Sequence, residues 1–347
     1  MGSALGKDKL KRAVLWQPAE DKKVRCSLCN WRCLIDDGKA GRCCVRKNED
    51  GVLYSLNYDK VCSANPDPIE KKPLFHFQPG SRSFSIATAG CNFRCVFCQN
   101  WQISQMALDS GYIDGQALSP EKIVGAAIRY GCKSIAYTYT EPTVFMELCS
   151  DCGRLAKQHG LANVFVSNGY MTKEAIDFAA EWLGGINIDL KAFSEDYYRD
   201  LCKARLQPVL DSIAYIAKQT SIWLEVTTLI VPGQNDSEDE LKRLAEFLVN
   251  SAGPDVPWHI SRFYPSYHYM DSQPTPVAAL ERAYEIGVAA GLRYIYVGNL
   301  PGSKAEGTYC YNCRRVLIER LGYEILANHI VDSACPDCHT KIAGFEL

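Results

Sequence analysis

From residue 83 onward, short apolar runs alternate with stretches of helical periodicity. The runs at 84–88, 134–140, 163–167, 186–191, 223–231, 258–263 and 294–297 read as strands, and 119–130, 143–159, 172–183, 207–219, 237–250 and 276–290 as helices. Ser119-Pro120-Glu121 is a helix start, with a capping hydroxyl, proline at the first position and an acid in the first turn. Asp236-Ser237-Glu238-Asp239-Glu240 has the form of a capping box. Regular alternation of strand and helix implies an α/β fold with a parallel sheet and right-handed crossovers. Six or more such units predict a partial or complete TIM-like (βα) barrel over 83–300, with its site at the carboxyl ends of the strands. Residues 1–25 are polar and read as a partly ordered lead-in. Residues 51–82 read as a connecting strand and a long loop, with a turn at Asn65-Pro66-Asp67-Pro68.

Charge excludes little but weakens one class. A formal charge of −2 and a pI near 6.3 give no bulk drive towards nucleic acid or anionic membrane. No stretch approaches the length of a transmembrane helix. The start lacks an apolar signal core, and Gly2 followed by Gly6 fails the myristoylation pattern. Seventeen cysteines without a secretion signal favour metal binding over a disulfide scaffold and place the protein in the cytosol.

The cysteines fall into groups. In the amino-terminal region 1–82, Cys26, Cys29 and Cys33 are followed by Gly38, Gly41, Cys43 and Cys44. Closely spaced cysteines on turns, with a fourth ligand further on, suit a closed metal site, with Cys43 the favoured fourth ligand. Spacing does not separate zinc from a second iron–sulfur cluster there. In the carboxyl-terminal region 301–347, Cys310, Cys313, Cys335 and Cys338 form two Cys-x2-Cys knuckles, 21 residues apart, with a small hairpin or helix between them. About 40 residues are too few to fold on an apolar core alone. A structural zinc, contributing roughly 10–16 kcal/mol, offsets that deficit. The pattern reads as a zinc ribbon or rubredoxin-like module.

The third group is Cys91, Cys95 and Cys98, directly after the first strand and Gly90. A cubane has four irons held by thiolates, so three local cysteines leave one iron open to a chelating ligand. This Cys-x3-Cys-x2-Cys run, with Phe97 before the last cysteine, resembles the signature of the radical SAM superfamily. The resemblance implies a [4Fe–4S] cluster whose open iron binds S-adenosylmethionine, and reductive cleavage to a 5′-deoxyadenosyl radical. The Cys98-to-Trp101 run, the 67–73 segment, Tyr139-Thr140-Glu141-Pro142 and the terminal cysteine groups are similar to the radical SAM proteins of the AmmeMemoRadiSam system, a branch near the pyruvate formate-lyase activases.

At the strand ends, Tyr137, Tyr139 and Glu141 are expected on one face, and Pro142 keeps Glu141 extended. The resemblance gives Glu141 the methionyl amino group, although the glycines of the usual Gly-Gly-Glu-Pro-type element are missing. Ser167 and Asn168 suit the ribose or carboxylate. Asp189 and Lys191 match an Asp-x-Lys element of the activase-like branch, with Lys191 facing the methionyl carboxylate. Gly298 would let an adenine edge approach the backbone. Glu225, Thr227, His259 and Ser261 are expected to point inward as substrate contacts, with His259 the catalytic candidate. His76, between two aromatics, reads as a packed core residue.

The implied function is hydrogen abstraction from a protein, peptide or small molecule, with an electron donor such as flavodoxin or ferredoxin. A narrower form is activation of a glycyl-radical enzyme. An alternative is RNA modification or binding through the carboxyl-terminal module, whose Arg314, Arg315, Arg320 and Lys341 offer a modest basic patch.

Overall fold

The computed structural model describes residues 10–300 and 302–347. Residues 1–9 of the expected lead-in, Gly2 and Gly6 among them, lie outside the described residues.

All seven expected strands form: β1 (Arg82–Thr88), β2 (Ser134–Tyr137), β3 (Ala162–Ser167), β4 (Gly185–Asp189), β5 (Trp223–Ile230), β6 (Trp258–Arg262) and β7 (Ile295–Gly298). They are parallel, and each lies beside its neighbours in chain order. Helices α1 (Pro120–Arg129), α2 (Met146–Gln158), α3 (Lys173–Ala180), α4 (Gln207–Gln219), α5 (Glu238–Ala252) and α6 (Val277–Ala290) form the crossovers. Among the described residues β7 pairs with β6 alone, so the sheet stays open and the architecture is a partial (βα) barrel.

Local chemistry explains the helix ends. Ser119 accepts from the Lys122 amide and Pro120 occupies the first turn of α1. Ser237 caps α5 through the Glu240 amide, but Glu240 does not complete a capping box. Its carboxylate accepts instead from the Phe193 amide at 2.7 Å and fastens the β4–α5 region. Leu241, Leu244 and Leu248 on one stripe of α5 are sealed, each burial contributing roughly 1.5–3 kcal/mol.

Two readings of the amino-terminal third need correction, whereas the order within the lead-in agrees with expectation. Much of the lead-in is ordered: Lys11–Arg12, Trp16–Pro18 and Val24–Cys26 are strands of two small sheets. Residues 65–68 are not a turn, because Lys60–Pro68 is a strand antiparallel to β1. Among the described residues its only other partner, Gln116–Ala117, reaches Lys60 and Val61, so Pro66 and Pro68 sit where the missing amide bonds cost nothing. A boundary at residue 82 therefore cuts through one sheet. The amino-terminal sheets are tied to α2 by a buried pair, Arg46 Nη1 to Glu147 Oε1 at 2.7 Å.

The carboxyl-terminal module is a hairpin, Val316–Leu321 with Glu324–Asn328, flanked by the two knuckles. Its core of Cys310, Leu317, Ile318 and Cys335 is continuous with Phe75, Tyr294 and Tyr296 at the amino ends of the barrel strands.

Candidate active site

The cavity lies at the carboxyl ends of the strands and measures about 300 Å³. Cys91, Cys95 and Cys98 line it together with Glu141, Ser167, Asn168, Asp189 and Lys191. Gly90 makes the turn into the cysteine loop. Its φ is +110°, and a Cβ there would lie 2.7 Å from Val45 Cγ1, so only glycine fits. The loop bonds its own sulfurs: the Phe93 amide donates to Cys91 Sγ at 3.4 Å, and Ser104 Oγ lies 3.3 Å from Cys98 Sγ. Burial raises the thiols of Cys91 and Cys98, whereas a hydrogen bond from Cys202 and the charge of Lys191 lower that of Cys95. Phe97 is buried in the same wall.

Glu141 is more deeply engaged than a strand-end carboxylate would be. Oε1 accepts from Ser167 Oγ at 2.8 Å, from the Thr143 amide at 3.1 Å and from the Thr143 hydroxyl. Oε2 accepts from the Asn168 amide at 2.8 Å. Burial pushes its pKa up against these four donors. Glu141 thus fixes the turn after β3, and Asn168 Nδ2 reaches Asn92 Oδ1 at 2.7 Å, one residue beyond Cys91.

The expected common face for Tyr137, Tyr139 and Glu141 does not form. β2 ends at Tyr137, and Tyr139 has φ +65°, which breaks the alternation. Tyr137 turns to Asn163 Oδ1 at 3.0 Å, away from the cavity. Tyr139 turns to Asp67, which also accepts from Lys71 at 2.9 Å and Lys72 at 2.7 Å.

At the end of β4, Lys191 Nζ lies 2.8 Å from Asp189 Oδ2. Burial opposes the lysine's charge, but Asp189 and the neighbouring thiols outweigh it and raise its pKa. Thr227 and Ser261 line the cavity from β5 and β6. The residues two places earlier do not. His259 Nε2 lies 2.6 Å from Glu225 Oε2 beneath the cavity, both sealed. Glu225 also accepts from the Phe75 and His76 amides at 3.0 and 2.8 Å. His76 is the packed core residue expected, with Nδ1 2.6 Å from Ala343 O and Nε2 2.6 Å from Tyr296 Oη. His259 therefore belongs to a polar layer at the amino end of the barrel, and its expected contact with substrate is corrected. Gly298 does not line the cavity either. A Cβ there would meet only Ser261 Oγ at 3.9 Å, and Asn299 provides the lining at that point.

Several lining residues escaped the sequence reading: Lys71, Asn100, Ser104, Thr138 and Asn299. Asn100 had a signal, since it stands in the run that follows Cys98, and it donates to Tyr139 O at 3.0 Å.

The carboxyl-terminal thiols converge. Sγ atoms of Cys310, Cys313, Cys335 and Cys338 all lie within 4.8 Å of one another. Cys310–Cys338 and Cys313–Cys335 are each 3.6 Å apart. Sulfurs on a tetrahedron with bonds of about 2.3 Å would be about 3.8 Å apart, so the four can hold one metal ion. The basic patch expected around them is not assembled. Arg320 is buried and donates to Phe75 O and Thr308 Oγ1, and Arg315 faces Asp337 at 3.4 Å. Among the described residues, no helix is long and apolar enough to cross a membrane.

The family described as "Radical SAM superfamily" matches residues 85–248. The chain is 44% identical over 335 residues to an uncharacterized protein of Methanocaldococcus jannaschii, covering 96% of this chain and 99% of that one. It is 24% identical over 181 residues to the pyruvate formate-lyase 1-activating enzyme of Escherichia coli K12, covering 49% of this chain and 69% of that one. A solved domain of pyruvate-formate lyase-activating enzyme from Bacteroides vulgatus superposes with a TM-score of 0.43 at 18% identity, over 48% of this chain and 99% of that one.

Proposed function

The chain belongs to the radical SAM superfamily and is an enzyme, and we propose that it cleaves S-adenosylmethionine at a cluster held by Cys91, Cys95 and Cys98 to abstract hydrogen from a substrate. The family implies a [4Fe–4S] cluster and S-adenosylmethionine. The observation that carries the assignment is the gathering of those three thiols with Glu141, Asn168, Asp189 and Lys191 around one cavity.

The donor set fits. Three thiols share the cavity without converging as single-ion ligands do. Thr227 Oγ1 lines the cavity, buried and without a partner, a vacancy for a ligand's polar group. When bound, the reduced cluster and its ligand supply a 5′-deoxyadenosyl radical. Lys191, held charged by Asp189, would bind the ligand's carboxylate. Glu141 acts chiefly by positioning: it fixes Ser167 and Asn168 and leaves the cavity wall rigid. The buried layer of Glu225, His259 and His76 closes the far end of the barrel against water.

The electron donor is proposed to be a low-potential flavodoxin or ferredoxin. The carboxyl-terminal thiols are proposed to hold zinc. Similarity to an activating enzyme favours, as a narrower form, radical transfer to a partner protein's glycine. The test is anaerobic: the reduced, cluster-loaded protein should form 5′-deoxyadenosine, and Cys95→Ala should form none. Equal cleavage by the variant would sink the assignment. A glycine-centred radical signal on a candidate partner would support the narrower form, and its absence with an active enzyme would remove it.

A further inference from the structure

We propose that Cys26, Cys29, Cys33 and Cys43 hold a second iron–sulfur cubane, capped by thiolate at every iron. These four cysteines line one small cavity with Trp31 and Arg42, remote in sequence from the catalytic loop but packed against it. Cys44, next to Cys43, turns away: Arg94 Nη2 approaches its sulfur at 3.8 Å. Its positive φ of 60° accounts for the reversal.

Two observations separate this cavity from a zinc site. The first is spacing. Among the described residues, only the carboxyl-terminal thiols come within 4.8 Å of one another as a group of ligands. The amino-terminal four surround a shared void but stay further apart, as do the catalytic three. A cubane separates its thiolates because each binds a different iron, whereas a single ion draws all four together. The second is unmet hydrogen-bonding capacity. Arg46 also lines the cavity, is 2% exposed, and its Nε has no partner. Arg42 Nε is likewise buried and unpartnered. Orphaned guanidinium donors beside four thiols call for an anionic, sulfur-rich guest. Cluster sulfides supply acceptors that a bare zinc ion lacks.

With four thiolates this cluster has no open iron, so it cannot chelate S-adenosylmethionine. The site touches the catalytic loop through Trp31, whose Nε1 donates to Asn92 O at 2.9 Å, and through Arg94, whose Nη2 donates to Arg42 O at 2.7 Å.

The test uses full-length protein reconstituted anaerobically with iron and sulfide. The triple variant Cys91→Ala/Cys95→Ala/Cys98→Ala, which lacks the catalytic ligands, should keep about four irons and about four sulfides, half the wild-type content. Cys29→Ser/Cys33→Ser should lose the other half and keep its zinc. In the reduced wild type, S-adenosylmethionine should change the electron paramagnetic resonance of one of two clusters. An iron-free triple variant, or a second zinc lost with Cys29→Ser/Cys33→Ser, would overturn the proposal. Failure of the wild type to make 5′-deoxyadenosine would count against the catalytic assignment alone, since the iron content of the triple variant does not depend on it.

Discussion

Glu141 and Asn168 are joined where β2 and β3 end: the Asn168 amide donates to Glu141 Oε2 at 2.8 Å, while the same carboxylate takes the Ser167 hydroxyl on its other oxygen. The pair carries position from the Tyr-Thr-Glu-Pro turn through Asn168 to Asn92 and so to Cys91. Glu141→Ala strands the Asn168 amide and the Ser167 hydroxyl in a buried site, at about 1–3 kcal/mol each. The expected outcome is a stability loss of roughly 2–4 kcal/mol and a drop of at least about tenfold in 5′-deoxyadenosine formation. Denaturant unfolding and product assay on matched iron content check it. Wild-type stability in the variant would show that the network is dispensable.

Asp189 and Lys191 are not equivalent partners. The lysine side chain is 14% exposed and the aspartate 36%. Asp189→Asn leaves a mostly buried ammonium facing a neutral amide, which costs more than freeing a carboxylate that reaches water. Asp189→Asn should therefore lower the melting temperature more than Lys191→Met does. Lys191→Met should instead weaken S-adenosylmethionine binding by about tenfold, roughly 1.4 kcal/mol. Equilibrium binding to the anaerobic protein measures this. Unchanged affinity would make Lys191 a structural residue only.

His76 makes stability depend on pH in a definite direction. Burial pushes its pKa down to about 4, with Arg320 and His259 adding to the effect and the Glu225 carboxylate opposing it. The unfolded chain binds a proton near pH 6.5, whereas the folded chain refuses it until about pH 4. Stability is complete above about 6.5 and falls through this window by roughly 3 kcal/mol. Glu225 is held below the usual carboxylate range by His259, so its own contribution is lost only at lower pH. His76→Gln should flatten the slope between pH 6.5 and 4 in denaturant titrations. A slope equal to that of the wild type would assign it to another group.

The barrel was legible because each β and α segment repeats a local pattern that tertiary packing only reinforces. All seven apolar runs became strands within a few residues. The cysteine loop and the Glu141, Asn168 and Lys191 positions were legible because the first two and the last stand in motifs that carry the family resemblance, and because all follow strands whose carboxyl ends gather at one cavity. What failed depended on pairing between distant segments. Pro66 and Pro68 read as a turn, and only the arrival of β1 on one side makes an edge strand possible. Tyr139 needed its left-handed φ to be seen, which no alternation pattern contains. His259 was placed on the correct face but one layer too high, in the cavity rather than beneath it, because a period of two gives a side and not a depth. Arg320 looked like surface charge until Phe75, 245 residues away, covered it.

The carboxyl-terminal thiols should matter beyond their own module. Their core includes Phe75, Tyr294 and Tyr296, which also floor the barrel, and Tyr296 is bonded to His76 at 2.6 Å. Cys338, whose sulfur donates to Thr340 Oγ1 at 3.2 Å, is one of the four thiols that face the shared centre. Structural zinc contributes roughly 10–16 kcal/mol in small modules, as much as the whole typical stability of a domain, about 5–15 kcal/mol. Cys335→Ala should thus lose one equivalent of zinc and unfold residues 308–345, and it should also lower the melting temperature of the barrel by loosening the floor beneath Glu225 and His259. Its iron content should stay near that of the wild type, because Cys91, Cys95 and Cys98 lie at the opposite end of the strands. Zinc analysis, thermal unfolding and protease mapping measure these three effects. A zinc-free variant with an unchanged barrel transition would show that the module is only appended to the barrel.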